Sequence, residues 1–406
     1  MDRLNIHCAQ WVVPVTSPLI TEGAVVIRSG RITDFGERDW ILKNYAGDVH
    51  EHGQGAILPA LANTHTHLEL SILKNQIKGK TNFVDWVREV VQIRSTLNQE
   101  EMRTSINAAL KALTDSGTLL IAEVTNTGLA VPVLGKSILK GLVFLELLGF
   151  SKERSLPSFE SGKSFLDSAP ELSNFALALS PHAVYSVHQS LFRAIKNHNR
   201  VRGLLSTVHV AESKDELYFL NRRESGFKQF LVQRGVWEKN WTPPGRTPVA
   251  YLDEIGFLDE STICVHLTQV TDEDIKILSV RKAKISVCLR SNLHTEVGLP
   301  PLYELLKEKF SVSLGTDSLA SNEDLNLFGE MLAIRKYFPK IKGEQILAMA
   351  TINGARVLNL DRDFGSIEKG KKAPLIFVRL DHCSEETIID AILLSGYEEK
   401  VSWLFD

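Results

Sequence analysis

Short apolar runs recur through the middle of the chain and alternate with longer amphipathic segments. The runs fall at residues 57–63, 119–124, 141–147, 175–180, 204–210, 261–266, 283–288 and 310–316. Because they are continuously apolar, they predict buried strands of a parallel sheet covered by helices on both faces. About eight such strand–helix units are typical of an α/β fold of the (β/α)8 TIM-barrel type. A doubly wound open sheet is the alternative.

Two of the intervening segments carry helical signals. In FVDWVREVVQIRSTL, which begins at Phe83, apolar residues repeat about every 3.6 positions. In NQEEMRTSINAALKALTDSG, Asn98 can cap a helix, Glu100 and Glu101 suit its positive first turn, and Gly117 can end it. Both segments therefore predict helices.

The two ends of the chain have a different pattern. AVVIRSGRITDFG predicts two short strands joined by a Ser-Gly turn, and a β-rich run at 374–380 follows the Gly-rich turns of GSIEKGKK. We predict a small β-sandwich domain built from residues 1–58 and 365–406, with the barrel domain at 59–364.

Composition narrows the choice of partners and compartment. The chain has 406 residues, 44% of them hydrophobic, and a net charge of −3, which does not favour a nucleic-acid or anionic-membrane partner. No apolar run is long enough to span a bilayer, and the first residues lack the pattern of a signal peptide. The four cysteines are scattered, so we expect reduced thiols in a cytoplasmic protein.

Candidate chemistry begins with His65 and His67, which stand two residues apart at the end of the first run. Residues i and i+2 of a strand share a face, so two imidazoles there can share a metal ion. Because the chain has 12 histidines, this pair alone is a weak motif.

Other predicted strands also end in polar side chains. The fifth run contains His209 near its end and is followed by Glu212, His266 ends the sixth, and Asp317 follows the eighth. Singly, Asp317 could be a turn or helix N-cap residue, and Glu212 could begin a solvated helix. Together they favour a metal site, because the carboxyl ends of barrel strands converge on one mouth.

Several stretches carry a resemblance to a known family. NTHTHLELS, SPHAVYS, HVAES, VHLTQ, CLRSNLHT and GTDSLASNEDLNLFGEM resemble the amidohydrolase superfamily, in particular its deaminases of adenine nucleosides. FVDWVREVVQIR and WTPPGRTPVAYLDEIGFL are most similar to aminodeoxyfutalosine deaminases, which serve menaquinone biosynthesis. The resemblance covers nearly the whole chain and implies a hydrolase that acts on the C–N bonds of cyclic amidines.

The resemblance also implies site roles. His65, His67, His209 and Asp317 would bind one divalent metal ion, usually Zn²⁺ and sometimes Fe²⁺. Relatives with two metals carry a lysine at the end of the fourth strand, and FALALSPHAVYS has none. With Glu212, His266 and Asp317 as catalytic residues, the expected reaction is hydrolytic removal of the C6 amine of an adenine, with Glu212 protonating the adjacent ring nitrogen.

Substrate-binding residues are predicted from weaker signals. His182, Trp86, Arg94 and Ser291 are the predicted substrate-binding residues. His182 could equally be a structural histidine at a strand end, and Trp86 could be a core residue of its helix. Ser291 and the neighbouring Asn292 could instead form a turn. Arg94 stands where some relatives carry a ribose-binding Glu; it suits a substrate carboxylate, although a solvated helix face is the commoner place for an arginine.

Aminodeoxyfutalosine is the expected substrate. The alternatives are another aminated heterocycle or formimino compound, such as guanine, cytosine, S-adenosylhomocysteine or a triazine, and a non-enzymatic scaffold on the same fold. The expected partner is a small molecule, with neither nucleic acid nor membrane, and a homodimer is one option for assembly.

Overall fold

The computed structural model describes residues 3–77, 82–222 and 224–404. The strands, in chain order, are β1 (Asn5–Val12), β2 (Ile20–Arg28), β3 (Arg31–Glu37), β4 (Asp48–Glu51), β5 (Gly55–Pro59), β6 (Leu61–Thr66), β7 (Thr118–Thr125), β8 (Lys140–Leu147), β9 (Phe175–Pro181), β10 (Ser206–Val210), β11 (Thr262–His266), β12 (Lys284–Val287), β13 (Val312–Leu314), β14 (Leu375–Arg379) and β15 (Val401–Leu404).

Helices fill the crossovers between strands. They are α1 (Arg38–Asn44), α2 (Phe83–Arg94), α3 (Gln99–Asp115), α4 (Val131–Leu134), α5 (Lys152–Ser168), α6 (Gln189–Val201), α7 (Lys214–Asn221), α8 (Gly226–Gln233), α9 (Pro248–Glu254), α10 (Asp272–Arg281), α11 (Leu289–His294), α12 (Leu302–Lys307), α13 (Leu327–Tyr337), α14 (Gly343–Met349), α15 (Ile352–Val357) and α16 (Ile388–Tyr397), with a 3-10 helix at Leu68–Leu73. Helices α2 and α3 confirm the two predicted from periodicity. Asn98 caps α3 by accepting the Glu100 N–H at 2.8 Å.

Both ends of the chain contribute to one seven-stranded sheet. Its order is β15-β14-β5-β1-β2-β3, with β4 paired to β1. Ser29 and Gly30, with φ of 51° and 68°, join antiparallel β2 and β3, because a tight hairpin turn needs two residues with positive φ. The predicted hairpin is thus confirmed.

Eight further strands form the barrel. They make two four-stranded sheets, β6-β7-β8-β9 and β10-β11-β12-β13, and all three pairs of the second sheet are parallel. Isolated parallel bridges connect the two sheets at both edges, at Thr66–Asp317 and at Ala183–His209. The eight strands therefore close into a ring, as the predicted TIM-barrel type requires.

One predicted strand was wrong in its bounds. The apolar run at 57–63 is two strands, because β5 ends at Pro59 and β6 begins at Leu61. The first pairs with β14 of the seven-stranded sheet and the second joins the barrel. Proline has no N–H to donate to a strand ladder, which favours the end of β5 at Pro59. Because both strands are fully buried, the sequence stays apolar across the boundary and shows no break there.

The chain divides into two compact units. One comprises residues 1–64, 111–121 and 326–406, and the other comprises 65–110 and 122–325. The second unit contains every candidate site residue. The domain boundaries and the β-sandwich predicted from the sequence stay predictions. Among the described residues, no helix is long and apolar enough to cross a membrane.

Candidate active site

Three imidazoles and one carboxylate converge at the carboxyl end of the barrel strands. His67 Nε2 lies 3.1 Å from His65 Nε2 and 3.2 Å from His209 Nε2. Asp317 Oδ1 lies 3.9 Å from His65 Nε2 and 3.8 Å from His67 Nε2. All four side chains are buried. The structure thus brings together the four residues predicted to bind a metal.

The protonation of this cluster suits a divalent cation. Burial, together with the neighbouring histidines, lowers the pKa of His65 well below its usual value. Burial likewise lowers the pKa of His209 to about 3. His209 Nδ1 lies 3.1 Å from the His182 carbonyl, which can only accept, so His209 carries its proton there and its Nε2 presents a lone pair.

The carboxylate completes the donor set. Burial raises the pKa of Asp317, but His67, His266 and the Ser291 hydroxyl outweigh it and hold the pKa below the usual value. Neutral imidazole nitrogens and one carboxylate are the ligands of catalytic zinc sites, which keep one position open. The residues present therefore fit the metal ion that the fold implies.

The backbone at the strand ends is strained. Ala211, His266 and Asp317 have φ of 52°, 75° and 57°, a left-handed conformation that costs energy for residues with a side chain. Gly315 lets the last strand approach the first, because a Cβ there would lie 2.7 Å from the His65 Cβ. Such strain is common where a fold aims side chains at a site.

Glu212 and His266 lie side by side next to the cluster. Glu212 Oε1 is 3.6 Å from His266 Nε2, and His266 Nδ1 is 2.8 Å from Asn292 Oδ1. An amide oxygen only accepts, so His266 is protonated on Nδ1 and directs the Nε2 lone pair toward Glu212. Burial, with the charges of Asp317 and Glu216, raises the pKa of Glu212 well above its usual value. Burial therefore favours the protonated form of Glu212.

A cavity opens onto these groups, among them His67, His209, Glu212 and Asp317. Its wall is largely apolar, with Phe83, Trp86, Val90 and Phe230 among the lining residues. Tyr185 also lines it.

The predicted substrate residues differ in their positions. His182, Trp86 and Arg94 line the cavity. Ser291 lies behind the cluster, where it donates to Asp317 Oδ2 at 2.6 Å and contacts the Ser321 hydroxyl at 2.8 Å. It is fully buried, so its contact in this structure is with the metal-ligand carboxylate.

The cavity residues are themselves held in place. His182 Nδ1 is 2.7 Å from the Ser186 hydroxyl, and burial lowers the pKa of His182 to about 3. The Trp86 ring stacks on Phe83 with 5.7 Å between centroids. Arg94 donates to Asn126 Oδ1 at 2.5 Å and is a quarter exposed.

Sequence reasoning missed two buried carboxyl groups. Glu123 accepts from the Thr66 hydroxyl at 2.7 Å and from the Leu68 N–H at 2.9 Å, one residue either side of His67. Glu146 lines the cavity and accepts from Asn126 at 2.9 Å. Both stand inside the apolar runs IAEVT and VFLELL, and a carboxyl in such a run is a signal because it is rarely buried without a partner.

The fold and the site together define a class: barrel hydrolases with a metal centre at the carboxyl ends of the strands. The Amidohydrolase family model matches residues 56–398. The chain belongs to the amidohydrolase family, and it is a hydrolase of carbon–nitrogen bonds. The predicted family is thereby confirmed.

Individual relatives narrow the comparison. The chain is 27% identical to the 5-methylthioadenosine/S-adenosylhomocysteine deaminase of Moorella thermoacetica, over 94% of this chain and 88% of the relative. It is 26% identical to the 5'-deoxyadenosine deaminase of Methanosarcina barkeri, over 88% and 80%.

Solved structures agree. Helicobacter pylori aminofutalosine deaminase in complex with methylthio-coformycin is 26% identical, with a TM-score of 0.86 and 96% of each chain covered. A zinc-bound adenosine deaminase from Xanthomonas campestris, at 22% identity and a TM-score of 0.80 over 95% and 89%, shares the fold. The predicted resemblance to adenine-nucleoside deaminases is confirmed.

Proposed function

We propose that this protein is a metal-dependent hydrolytic deaminase of an adenine nucleoside, which replaces the C6 amine by oxygen and releases ammonia. The observation that carries the proposal is a buried Glu212, whose pKa burial raises, beside a cluster of three histidines and Asp317. The named activities of the relatives support the same class.

The metal supplies one part of the chemistry. A divalent ion held by His65, His67, His209 and Asp317, Zn²⁺ by preference and Fe²⁺ as the alternative, would lower the pKa of the attacking water towards neutrality. Proton transfer falls to the chain. Asp317 accepts one proton from the attacking water, and neutral His266 orients that water through its Nε2 lone pair.

Glu212 completes the proton balance. It donates its proton to the ring nitrogen next to C6, which prevents negative charge from building up on the ring. The proton on Asp317 then goes to the departing amine, which leaves as ammonia. The new hydroxyl loses its proton to Glu212 as the carbonyl forms, so both carboxyl groups return to their starting states.

Within this class we propose aminodeoxyfutalosine as the substrate, and with it a place in menaquinone biosynthesis. The support is the similarity to the Helicobacter enzyme and a largely apolar cavity that contains Arg94, a residue suited to a carboxylate. The second candidate is 5'-deoxyadenosine or a 5'-thio relative, favoured by the curated relatives and by the same apolar wall. A cytoplasmic location and a homodimer remain part of this proposal.

Ammonia release from metal-loaded protein tests it. The panel is aminodeoxyfutalosine, 5'-deoxyadenosine, methylthioadenosine, S-adenosylhomocysteine, adenosine, guanine and cytosine. Turnover of adenine nucleosides, highest with aminodeoxyfutalosine, is expected, and activity on guanine or cytosine alone would refute the proposal. We expect Glu212→Gln to keep its metal and lose about 10²- to 10⁴-fold in kcat. Glu260→Gln, at an exposed position, is the matched control.

A further inference from the structure

One carboxyl group in the cavity wall belongs to neither the metal cluster nor the proton-transfer groups. Glu146 lies near the end of β8 and is 5% exposed. Its Oε2 accepts from Asn126 Nδ2 at 2.9 Å, and Asn126 Oδ1 accepts from Arg94 Nη1 at 2.5 Å. Arg94 Nη2 is in turn 3.5 Å from Glu69 Oε2. The chain of contacts holds Glu146 in a fixed position on the cavity wall.

His209 directs its hydrogen bond to the His182 carbonyl rather than to this carboxyl group. Glu146 Oε1 lies 3.5 Å from His209 Nδ1, whereas the His182 carbonyl lies 3.1 Å from the same nitrogen. Of the two oxygens, only the carbonyl lies within ordinary hydrogen-bond distance of the Nδ1–H. Glu146 Oε1 thus keeps acceptor capacity that no donor among the described residues is seen to use.

The spacing around Glu146 suits a hydroxyl group. An oxygen of Glu146 and one nitrogen each of His182 and His209 lie within 4.8 Å of one another. A hydroxyl about 2.8 Å from two partners can bridge groups up to about 5.6 Å apart. It can therefore donate to Glu146 from a position between these groups.

A nucleoside brings hydroxyl groups to this position. Its base must lie at the metal cluster for deamination, and Glu146 is only one histidine ring away from that cluster. Much of the remaining wall is apolar, and buried hydroxyl groups are costly unless they are hydrogen-bonded. Glu212 and Asp317 are already used by the reaction, so Glu146 is the lining carboxyl group left to bind the sugar.

We propose that Glu146 is a specificity-determining residue that accepts a hydrogen bond from a ribose hydroxyl of the substrate. The inference rests on the proposed function and identifies the group that selects a ribonucleoside. Dinucleotide-binding folds use the same kind of contact, in which an acidic side chain accepts a hydrogen bond from a ribose hydroxyl.

The test compares kcat/KM for the best adenine nucleoside of the panel with its 2'-deoxy and 3'-deoxy analogues. The wild type should disfavour one analogue by about 10- to 100-fold, as expected for a hydrogen bond to a charged group. In Glu146→Gln that preference should fall to about threefold or less with metal content unchanged, whereas Glu146→Asp should retain part of it and Glu260→Gln all of it.

Calorimetric binding of the same nucleosides separates the possible failures. An unchanged preference in Glu146→Gln, with an equal loss on all three compounds or a loss of metal, would overturn the role of Glu146 and leave the deaminase standing. A wild type that releases no ammonia, yet prefers the ribonucleoside in binding until Glu146 is replaced, would overturn the proposed reaction and support the role of Glu146.

Discussion

Glu123 gives the sharpest test of how the metal cluster is supported. It is fully buried in β7, and its carboxyl group holds the Thr66 hydroxyl and the Leu68 N–H, which flank His67. Glu123→Ala leaves two buried polar groups without this partner, at about 1–3 kcal/mol each, or roughly 2–6 kcal/mol of stability together. Because residues behind metal ligands orient them, we expect zinc affinity to fall about 10- to 100-fold.

Glu123→Gln is the matched control. Burial, with the nearby charge of Glu69, raises the pKa of Glu123 well above its usual value, which favours the neutral acid, and a glutamine side chain is close to that form in shape. A glutamine oxygen can accept from Leu68 and its amide can donate to Thr66, whose hydroxyl has the Ala122 carbonyl at 3.3 Å. Glutamine should therefore keep zinc affinity within about threefold.

Competition with a chromophoric chelator measures the affinity of metal-free protein for Zn²⁺, and thermal unfolding measures stability on the same samples. Full zinc affinity in a folded Glu123→Ala protein would show that the hydrogen bonds from Thr66 and Leu68 to Glu123 do not position His67. An equally large loss in Glu123→Gln would show instead that Glu123 acts as a charged group.

Three further predictions concern other residues. Burial raises the pKa of Glu216 to about 8 from 4.5, so the folded state keeps a proton that the unfolded state has lost. Stability should therefore fall as pH rises from about 4.5 to 8, by up to about 1.4 kcal/mol per unit, and Glu216→Gln should remove this contribution; equal slopes of the metal-free thermal midpoint against pH would contradict it. Arg94→Met should raise KM about tenfold for a nucleoside with a carboxylate and leave 5'-deoxyadenosine within about threefold, whereas equal changes would exclude a carboxylate contact. Ser291→Ala removes one of two hydroxyl donors to Asp317 Oδ2 and should weaken Zn²⁺ binding about three- to tenfold in chelator competition, and no change would assign the support of Asp317 to Ser321.

The metal-cluster residues could be predicted because a parallel barrel converts sequence position into spatial position. His65, His209, His266 and Asp317 are far apart in the chain, yet each stands at or just after the carboxyl end of a strand. Once the apolar runs are recognised as barrel strands, those ends must meet. The fold and the site were therefore one prediction, and the structure brings the residues together as expected.

Other parts of the site have no such signal. Ser291 is predicted to contact substrate, but a strand end does not reveal which way the side chains of the following helix face, and in α11 its hydroxyl donates to Asp317. Glu123 and Glu146 act through hydrogen bonds to residues 20 or more positions away in the chain, and the sequence does not show these pairings. The sequence marks both glutamates only by their position within apolar runs. Such a position indicates that the carboxyl group has a hydrogen-bond partner, but it does not identify that partner.

The ring of strands has two thin seams, at the bridges Thr66–Asp317 and Ala183–His209. One half of the barrel supplies His65 and His67, and the other supplies His209 and Asp317. A bound divalent ion would thus take two ligands from each half and connect the two halves of the barrel. Binding of the metal ion would therefore also link the two halves of the barrel. Removal of the ion by a chelator should weaken the contacts at the two bridges as well as abolish activity.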